Sequence, residues 1–260
     1  MRTSLRNQVV LITGASSGVG AMTAKLLAER GAIPVLTARS LDKLEQLSLT
    51  IASEHAIYKL DVTSPEEVTS VVSQVVQRYG KIDLLLSNAG YGEFIPFQEA
   101  SLAHFTEMMD VNYMGTVRCV QAVLPSMLKA SSGHIVVVGS LAGKVASAKA
   151  SGYAASKHAV LGFTNALRQE LRDTGVCVSA VNPGPIDTPF FDRADPQGGY
   201  VNRIRWLMMT PEQVAKAIIS VMEKRKAELD IPWRAAVGTK LIQLFPRTID
   251  RLFGRIMNKK

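Results

Sequence analysis

The chain has only two cysteines and four histidines in 260 residues. Cys119 and Cys177 lie in the apolar stretches Val117-Arg-Cys-Val and Val176-Cys-Val. That setting predicts buried free thiols and argues against a disulfide framework or a thiolate metal site. The histidines are scattered without metal-ligand spacing, so no metal is expected. No apolar run approaches the ~20 residues that span a bilayer. Arg2 and Arg6 precede the first apolar run without the hydrophobic stretch of a secretory signal, so a cytoplasmic protein is expected. Internal repeats, low-complexity tracts and Gly/Ser/Pro-rich linkers are also lacking. With 47% hydrophobic and 20% charged residues, the expectation is a single globular domain over 1–260.

Residues 1–200 carry no net charge, with 17 basic and 17 acidic side chains. The whole excess of +8 lies in residues 201–260, which carry 13 basic and 5 acidic side chains. Such asymmetry points to an anionic partner or surface for that end, or to a solvated basic rim. Nucleic acid is not among the expected partners.

Short apolar runs alternate with longer periodic segments. Strands are predicted at 9–13, 33–37, 56–60, 82–87, 133–139 and 176–181. Helices are predicted at 18–30, 41–53, 65–79, 101–130, 152–173 and 210–226, with a long loop carrying short helices over 184–209. Leu229-Asp-Ile-Pro-Trp233 reads as a last, proline-interrupted edge strand. Continuous apolar strands are buried on both faces. Their alternation with helices predicts an α/β fold, a doubly wound parallel sheet in three αβα layers.

Two motifs bear chemistry. Tyr153 and Lys157, at i and i+4, share one face of a predicted helix. An ammonium group there would favour the phenolate and lower the tyrosine pKa from its usual value of about 10. Ser140, at the end of a predicted strand, could hold a carbonyl or alcohol oxygen opposite. That trio suits proton transfer at a carbinol oxygen, the partner step of hydride transfer. The second motif is Thr13-Gly-Ala-Ser-Ser-Gly-Val-Gly20, between a predicted strand and a helix. Glycines there let the backbone approach a pyrophosphate, and the helix N-terminus offers unpaired N–H groups. After the second strand the chain has Ala38 and Arg39 where an NAD site usually has a carboxylate. A guanidinium can take a 2′-phosphate in two-pronged fashion, so NADP(H) is preferred, with NAD(H) as the alternative.

Over about residues 7–190 these motifs resemble the short-chain dehydrogenase/reductase family, whose fold is of the Rossmann type. The TGxxxGxG pattern, Asn88-Ala-Gly90, Asn112, Ser140, Tyr153, Lys157 and Asn182-Pro-Gly184 followed by Ile186 and Thr188 fall in the family's order. Ser87 stands where many members have a second asparagine. The resemblance implies that Asn112, Ser140, Tyr153 and Lys157 are catalytic. Tyr153 would be the acid or base, Lys157 would tune it and hold a ribose, Ser140 would orient the substrate oxygen, and Asn112 would anchor a water. It implies a cofactor site of Gly14, Ser16, Ser17, Gly18, Val19, Gly20, Arg39, Asp61, Val62, Asn88, Ala89, Gly90, Tyr153, Lys157, Pro183, Gly184, Ile186 and Thr188. The expected assembly is a homodimer or homotetramer.

The equivalent of residues 190–209 closes over the substrate in that family. Here it carries Phe190, Phe191, Tyr200, Ile204, Trp206, Leu207, Met208 and Met209, and Phe94 and Phe97 could line the same pocket. Apolar walls suit a hydrophobic carbonyl or alcohol that is lipid-, steroid- or acyl-like. A looser resemblance to the hydroxysteroid dehydrogenase and ketosphinganine reductase-like branch agrees with this. In segment 241–260, Arg247, Arg251, Arg255 and Lys259 fall opposite Ile249, Leu252, Phe253 and Ile256. That pattern predicts a basic amphipathic helix that lies peripherally on a membrane or packs on protein. The competing functional reading is a catalytically silent NADP(H)-binding sensor or a membrane-surface interaction protein.

Overall fold

A computed structural model describes residues 3–248 of the chain. Seven parallel strands form one sheet in the order β3-β2-β1-β4-β5-β6-β7. They are β1 (Val9–Thr13), β2 (Ile33–Ala38), β3 (Ala56–Lys59), β4 (Leu84–Ser87), β5 (Gly133–Val138), β6 (Val176–Pro183) and β7 (Glu228–Ile231). Between them run α1 (Gly18–Glu29), α2 (Leu41–Ser48), α3 (Pro65–Tyr79), α4 (Leu102–Met109), α5 (Gly115–Lys129) and α6 (Ser151–Glu170). The short α7 (Phe190–Ala194) and α8 (Gly199–Ile204) precede α9 (Pro211–Lys224) and α10 (Trp233–Leu244). The order reverses between β1 and β4, and an open α/β sheet binds ligands in the crevice at such a reversal.

Alternate residues of the buried strands serve opposite faces, as the period of two requires. Val10 and Ile12 of β1, with Leu36, pack with α1, α2 and α9 residues such as Leu27, Leu44 and Ile218. Val9 and Leu11, with Leu85 and Ile135, pack with α3, α5 and α6 through Val72, Val123 and Val160. Both faces are therefore covered, as in the predicted three-layer architecture.

Several boundaries differ from those predicted. α2 ends at Ser48 rather than at residue 53; beyond it the Thr50 hydroxyl turns back to the Leu47 carbonyl at 2.7 Å. The long helix expected over 101–130 is split by a π-helical turn at Asp110–Met114. The expected strand 229–233 stops at Ile231. Pro232 lacks the N–H that would continue the ladder. Trp233 instead opens α10, which the sequence reading did not foresee. The start of α9 is fixed by Thr210 and Gln213, which form a reciprocal capping box. Of the predicted C-terminal helix, Leu241–Leu244 end α10, while Ile249, Arg251, Leu252, Phe253, Arg255, Ile256 and Lys259 lie outside the described residues.

Candidate active site

The carboxyl ends of β1, β4, β5 and β6 border a cavity of about 710 Å³. At one end is the β1–α1 turn. Gly14 and Gly18 have φ of +66° and +55°, which L side chains rarely adopt. A Cβ at Gly14 would stand 2.9 Å from the Ala89 Cα, so only glycine lets the two turns meet. Asn88 closes this junction by donating to the Thr13 and Gly14 carbonyls at 3.0 and 3.1 Å. Ser17 sits at the N-cap of α1 but makes no side-chain cap bond, and the first turn has no acidic residue. The uncapped N–H groups and the helix dipole therefore face the cavity, a setting that fits a pyrophosphate.

Arg39 is exposed at the end of β2 and lines the cavity with Ser16, Ser40 and Lys43. Arg39 and Ser16 were expected here from the sequence, whereas Ser40 and Lys43 were not. Lys43 lies one helical turn into α2, a position that a scan for basic residues after β2 could have found. Asp61 accepts from the Thr63 N–H at 2.9 Å and the Thr63 hydroxyl at 2.8 Å. Burial alone would raise its carboxyl, but these bonds, with Arg39 and Arg118 nearby, hold it below the usual range.

At the other end of the cavity are Ser140, Tyr153 and Lys157. The N-terminal half of α6 carries Tyr153 and Lys157, and Ser140 caps a short 3-10 turn after β5. Burial pushes the Tyr153 phenol up to about 12, opposed by its hydrogen bond with Ser140. Burial also brings the Lys157 ammonium down to about 8. Lys157 Nζ lies 6.0 Å from the Tyr153 ring centroid and donates to the Val138 carbonyl at 2.9 Å. The depressed tyrosine pKa expected from the i, i+4 spacing is thus not seen in this geometry, because desolvation exceeds any Coulombic help from the lysine.

Apolar rings enclose the tyrosine. Phe94 meets Tyr153 edge-on at 6.1 Å, and Phe190 lies at 5.5 Å. Phe94 also contacts Phe191 and Tyr200 at 6.3 and 5.3 Å. Gly92 makes room for this cluster: a Cβ there would stand 2.7 Å from Phe190 and 3.0 Å from Tyr153. The segment 190–209 is tied down by the Phe94 N–H to Ala194 carbonyl bond at 3.0 Å and the Arg193–Glu93 ion pair at 2.5 Å. Other expected wall residues are elsewhere. Phe97 is exposed against Phe105, and Trp206 is 80% exposed. Leu207 is also exposed, and Met209 packs on the core. The last turn of the segment therefore points away from the cavity.

Of the predicted site residues, all but Asn112 and Gly20 line the cavity. Gly20 packs against Gly14 instead. The π-turn rotates Asn112 into the body, where its Oδ1 accepts from the Tyr91 N–H and its Nδ2 donates to the Tyr91 carbonyl, both at 2.9 Å. The same Nδ2 donates to the Ser156 hydroxyl at 2.9 Å. Asn112 thus staples the turn after β4 to α6, and its side-chain atoms are spent there. Thr239 of α10 also borders the cavity, a contact that the sequence could not reveal.

A dinucleotide-sized crevice at the sheet reversal, with a Ser-Tyr-Lys group at its far end, defines a nicotinamide-dependent oxidoreductase architecture. The family profile described as short chain dehydrogenase matches residues 8–198, and the chain belongs to that family. A Dictyostelium discoideum dehydrogenase/reductase SDR family protein 7-like is 35% identical over 96% of this chain and 81% of its own length. An uncharacterized oxidoreductase of Staphylococcus saprophyticus is 37% identical over 85% of this chain and 93% of its own. Among solved structures, levodione reductase superposes with a TM-score of 0.82 at 27% identity, covering 87% of this chain and 96% of that one. A metagenomic short-chain oxidoreductase in complex with NADP gives 0.74 at 29% identity, covering 88% and 97%.

Proposed function

We propose that the protein is a single-domain, NADP(H)-dependent reductase of hydrophobic ketones or aldehydes, able to run in reverse on the secondary alcohol. The observation that carries this reading is Tyr153 hydrogen-bonded with Ser140, near Lys157 and beneath an aromatic wall, in the same cavity as the glycine cradle. Bound NADP(H) supplies or takes up the hydride. Tyr153 gives the proton to the nascent alkoxide, and at about 12 its phenol is fully protonated at neutral pH, as an acid must be. Ser140 orients the reacting oxygen. Lys157, whose ammonium burial lowers to about 8, would hold the ribose next to Tyr153. Asn112 acts at one remove, by fixing the turn 88–91 against α6.

Arg39, Ser16, Ser40 and Lys43 form a polar, cationic corner suited to a 2′-phosphate, which favours NADP(H) over NAD(H). The relative solved with NADP supports the same choice. Phe94, Phe190, Phe191 and Tyr200 favour a bulky apolar substrate. The names levodione reductase and serine dehydrogenase among the neighbours are in keeping with carbonyl–alcohol chemistry. The test is a screen of NADPH and NADH oxidation with butanone, cyclohexanone, acetophenone, 2-decanone and a 3-ketosteroid. NADPH-dependent turnover that favours the bulky apolar ketones is expected. NADPH binding without turnover of any carbonyl compound would point to a sensor instead.

A peripheral hold on an anionic membrane is the second part of the reading. Trp233, Val237 and Leu241, four residues apart on α10, are 69%, 50% and 48% exposed, and Leu244 and Phe245 beside them are also exposed. Arg234, Lys240 and Arg247 flank this stripe. An apolar strip edged with basic residues suits a lipid interface, and the opposite side of the same helix reaches the cavity through Thr239. The competing occupant is a second copy of the chain in a homodimer or homotetramer.

A further inference from the structure

The turn that starts at Ser140 is gripped from two sides. On the inner side Gly143 lies against the Lys157 backbone, where a Cβ would stand 2.6 Å from the Lys157 carbonyl. On the outer side Lys144 is only 11% exposed and reaches the edge strand β7. Its Nζ donates to the two Asp230 carboxylate oxygens at 2.8 and 2.6 Å and to Glu228 at 2.6 Å. The same two carboxylates accept from Asn182 Nδ2, at 2.7 Å for Glu228 and 2.8 Å for Asp230. Asn182 directly precedes the Pro183-Gly184 turn, which forms the next part of the cavity wall. Gly184 is held to the same strand, its N–H donating to the Ile231 carbonyl at 2.7 Å.

This cluster lies behind the wall rather than in it. Leu141, Ala142 and Val145 of the turn line the cavity, whereas Lys144 points the other way. The restraints on the serine itself are local: its Oγ accepts from the Ala142 N–H at 3.0 Å and shares a hydrogen bond with the Tyr153 phenol, its bond to the Pro183 carbonyl is stretched to 3.5 Å, and the preceding Gly139 N–H donates to the Val181 carbonyl at 2.8 Å. The turn's own hydrogen bonds, from Gly143 to Ser140 and from Lys144 to Leu141, set its shape but not its position relative to β6. Among the described residues, the Lys144 ammonium is the side-chain link that ties the turn to β7. Burying an ammonium with two carboxylates contributes little net stability. Its effect is to give the turn one place to sit.

We infer that Lys144 is a positioning residue for the Ser140 hydroxyl, its clasp on Asp230 and Glu228 fixing the turn 140–145 against the β6–β7 edge. This rests on the reading of Ser140 as the group that orients the reacting oxygen. A displacement of about 1 Å at such a group can lower turnover by up to about a hundredfold.

The test is a double-mutant cycle on the ketone of the panel above that the wild type reduces fastest. Lys144→Met should lower kcat about tenfold or more, with KM and the NADPH dissociation constant changed less than about twofold, and Lys144→Arg should recover most of the loss. In a Ser140→Ala background, read by single-turnover NADPH oxidation, Lys144→Met should change the rate less than about twofold, because the group it positions is gone. An equal loss in both backgrounds, or none in the wild type, overturns the inference. If Lys144→Met does not fold, Asp230→Asn enters the same cycle with the same criterion. If the wild type reduces no ketone, the functional reading fails on its own account, and amide hydrogen exchange still decides the clasp. Lys144→Met must then speed exchange across residues 139–146 several-fold relative to α3, and unaltered exchange overturns the inference.

Discussion

Replacing Tyr153 by phenylalanine removes one oxygen from the centre of the proposed mechanism. The ring contacts with Phe94 at 6.1 Å and Phe190 at 5.5 Å survive the change, so the aromatic cluster keeps its shape. The hydrogen bond with Ser140 is lost, worth about 1 kcal/mol in a typical case. That is partly offset by no longer burying a hydroxyl, so the melting temperature should move by no more than a few degrees. Gly14, Arg39 and Asp61, which would hold the adenosine and phosphate part of the cofactor, belong to other elements than α6 and keep their contacts in the variant. NADPH affinity should therefore stay within about twofold of wild type. Turnover should not, because a positioned general acid contributes about 10²–10⁴ in rate. Stopped-flow NADPH absorbance at saturating ketone measures the chemical step, and cofactor fluorescence titration measures binding. If the phenylalanine variant keeps more than about a tenth of the wild-type kcat, the proton comes from elsewhere and the assignment is wrong.

Four further outcomes are expected. Arg39→Ala should weaken NADPH about tenfold or more and leave NADH nearly unchanged, since a charge-assisted bond contributes roughly 1.5–3 kcal/mol; an equal loss for both cofactors would refute the 2′-phosphate reading. His134, buried against the Ser179 hydroxyl at 2.7 Å, is lowered from 6.5 to about 4, first by burial and then by Arg225. The unfolded chain then takes up the extra proton as pH falls from about 6.5 toward 4, so stability is full above that window and is lost within it. Between about pH 7.5 and 5, urea unfolding of the wild type should lose roughly 2 kcal/mol more than that of His134→Gln, and equal losses would show that His134 titrates normally. Limited proteolysis within 190–209 should slow when NADPH and an apolar ketone are added together, because ligands in the cavity would add contacts to Phe190, Phe191 and Tyr200 of that segment; ligand-independent cleavage would exclude a lid. Truncation after Thr248, which leaves α10 whole, combined with Leu241→Glu and Leu244→Glu, should abolish sedimentation with anionic liposomes while kcat and oligomeric mass stay unchanged; a fall in mass instead would assign the stripe to a partner copy.

Much of the site was legible because its chemistry is local in the chain. Tyr153 and Lys157 are four residues apart on one helix, and the glycine turn lies between a strand and a helix that any periodicity count finds. Strands buried on both faces gave the parallel sheet for the same reason: their apolar runs are continuous. Arg39 was readable as a cavity residue because it follows directly on the end of β2. What failed was anything set by a distant neighbour. Asn112 was named as the anchor of a water, and nothing near it in the chain foretold the π-turn that sets its side chain on Tyr91 and Ser156. Phe97, Trp206 and the two methionines were apolar enough to line a pocket, but hydrophobicity does not say which surface a side chain meets.

The amino-acid sequence by itself therefore determined most of the order of strands and helices, and it marked the glycine turn and the Ser-Tyr-Lys spacing. Each of those depends on spacing within a few turns of one element. The tertiary structure alone decided the burial that raises the tyrosine pKa, the aromatic rings packed around Tyr153, and the Lys144 clasp on a strand 86 residues away. Desolvation and long-range contact are properties of the packed sheet. They arise only when β5, β6 and β7 stand side by side and α6 and α7 close over their ends.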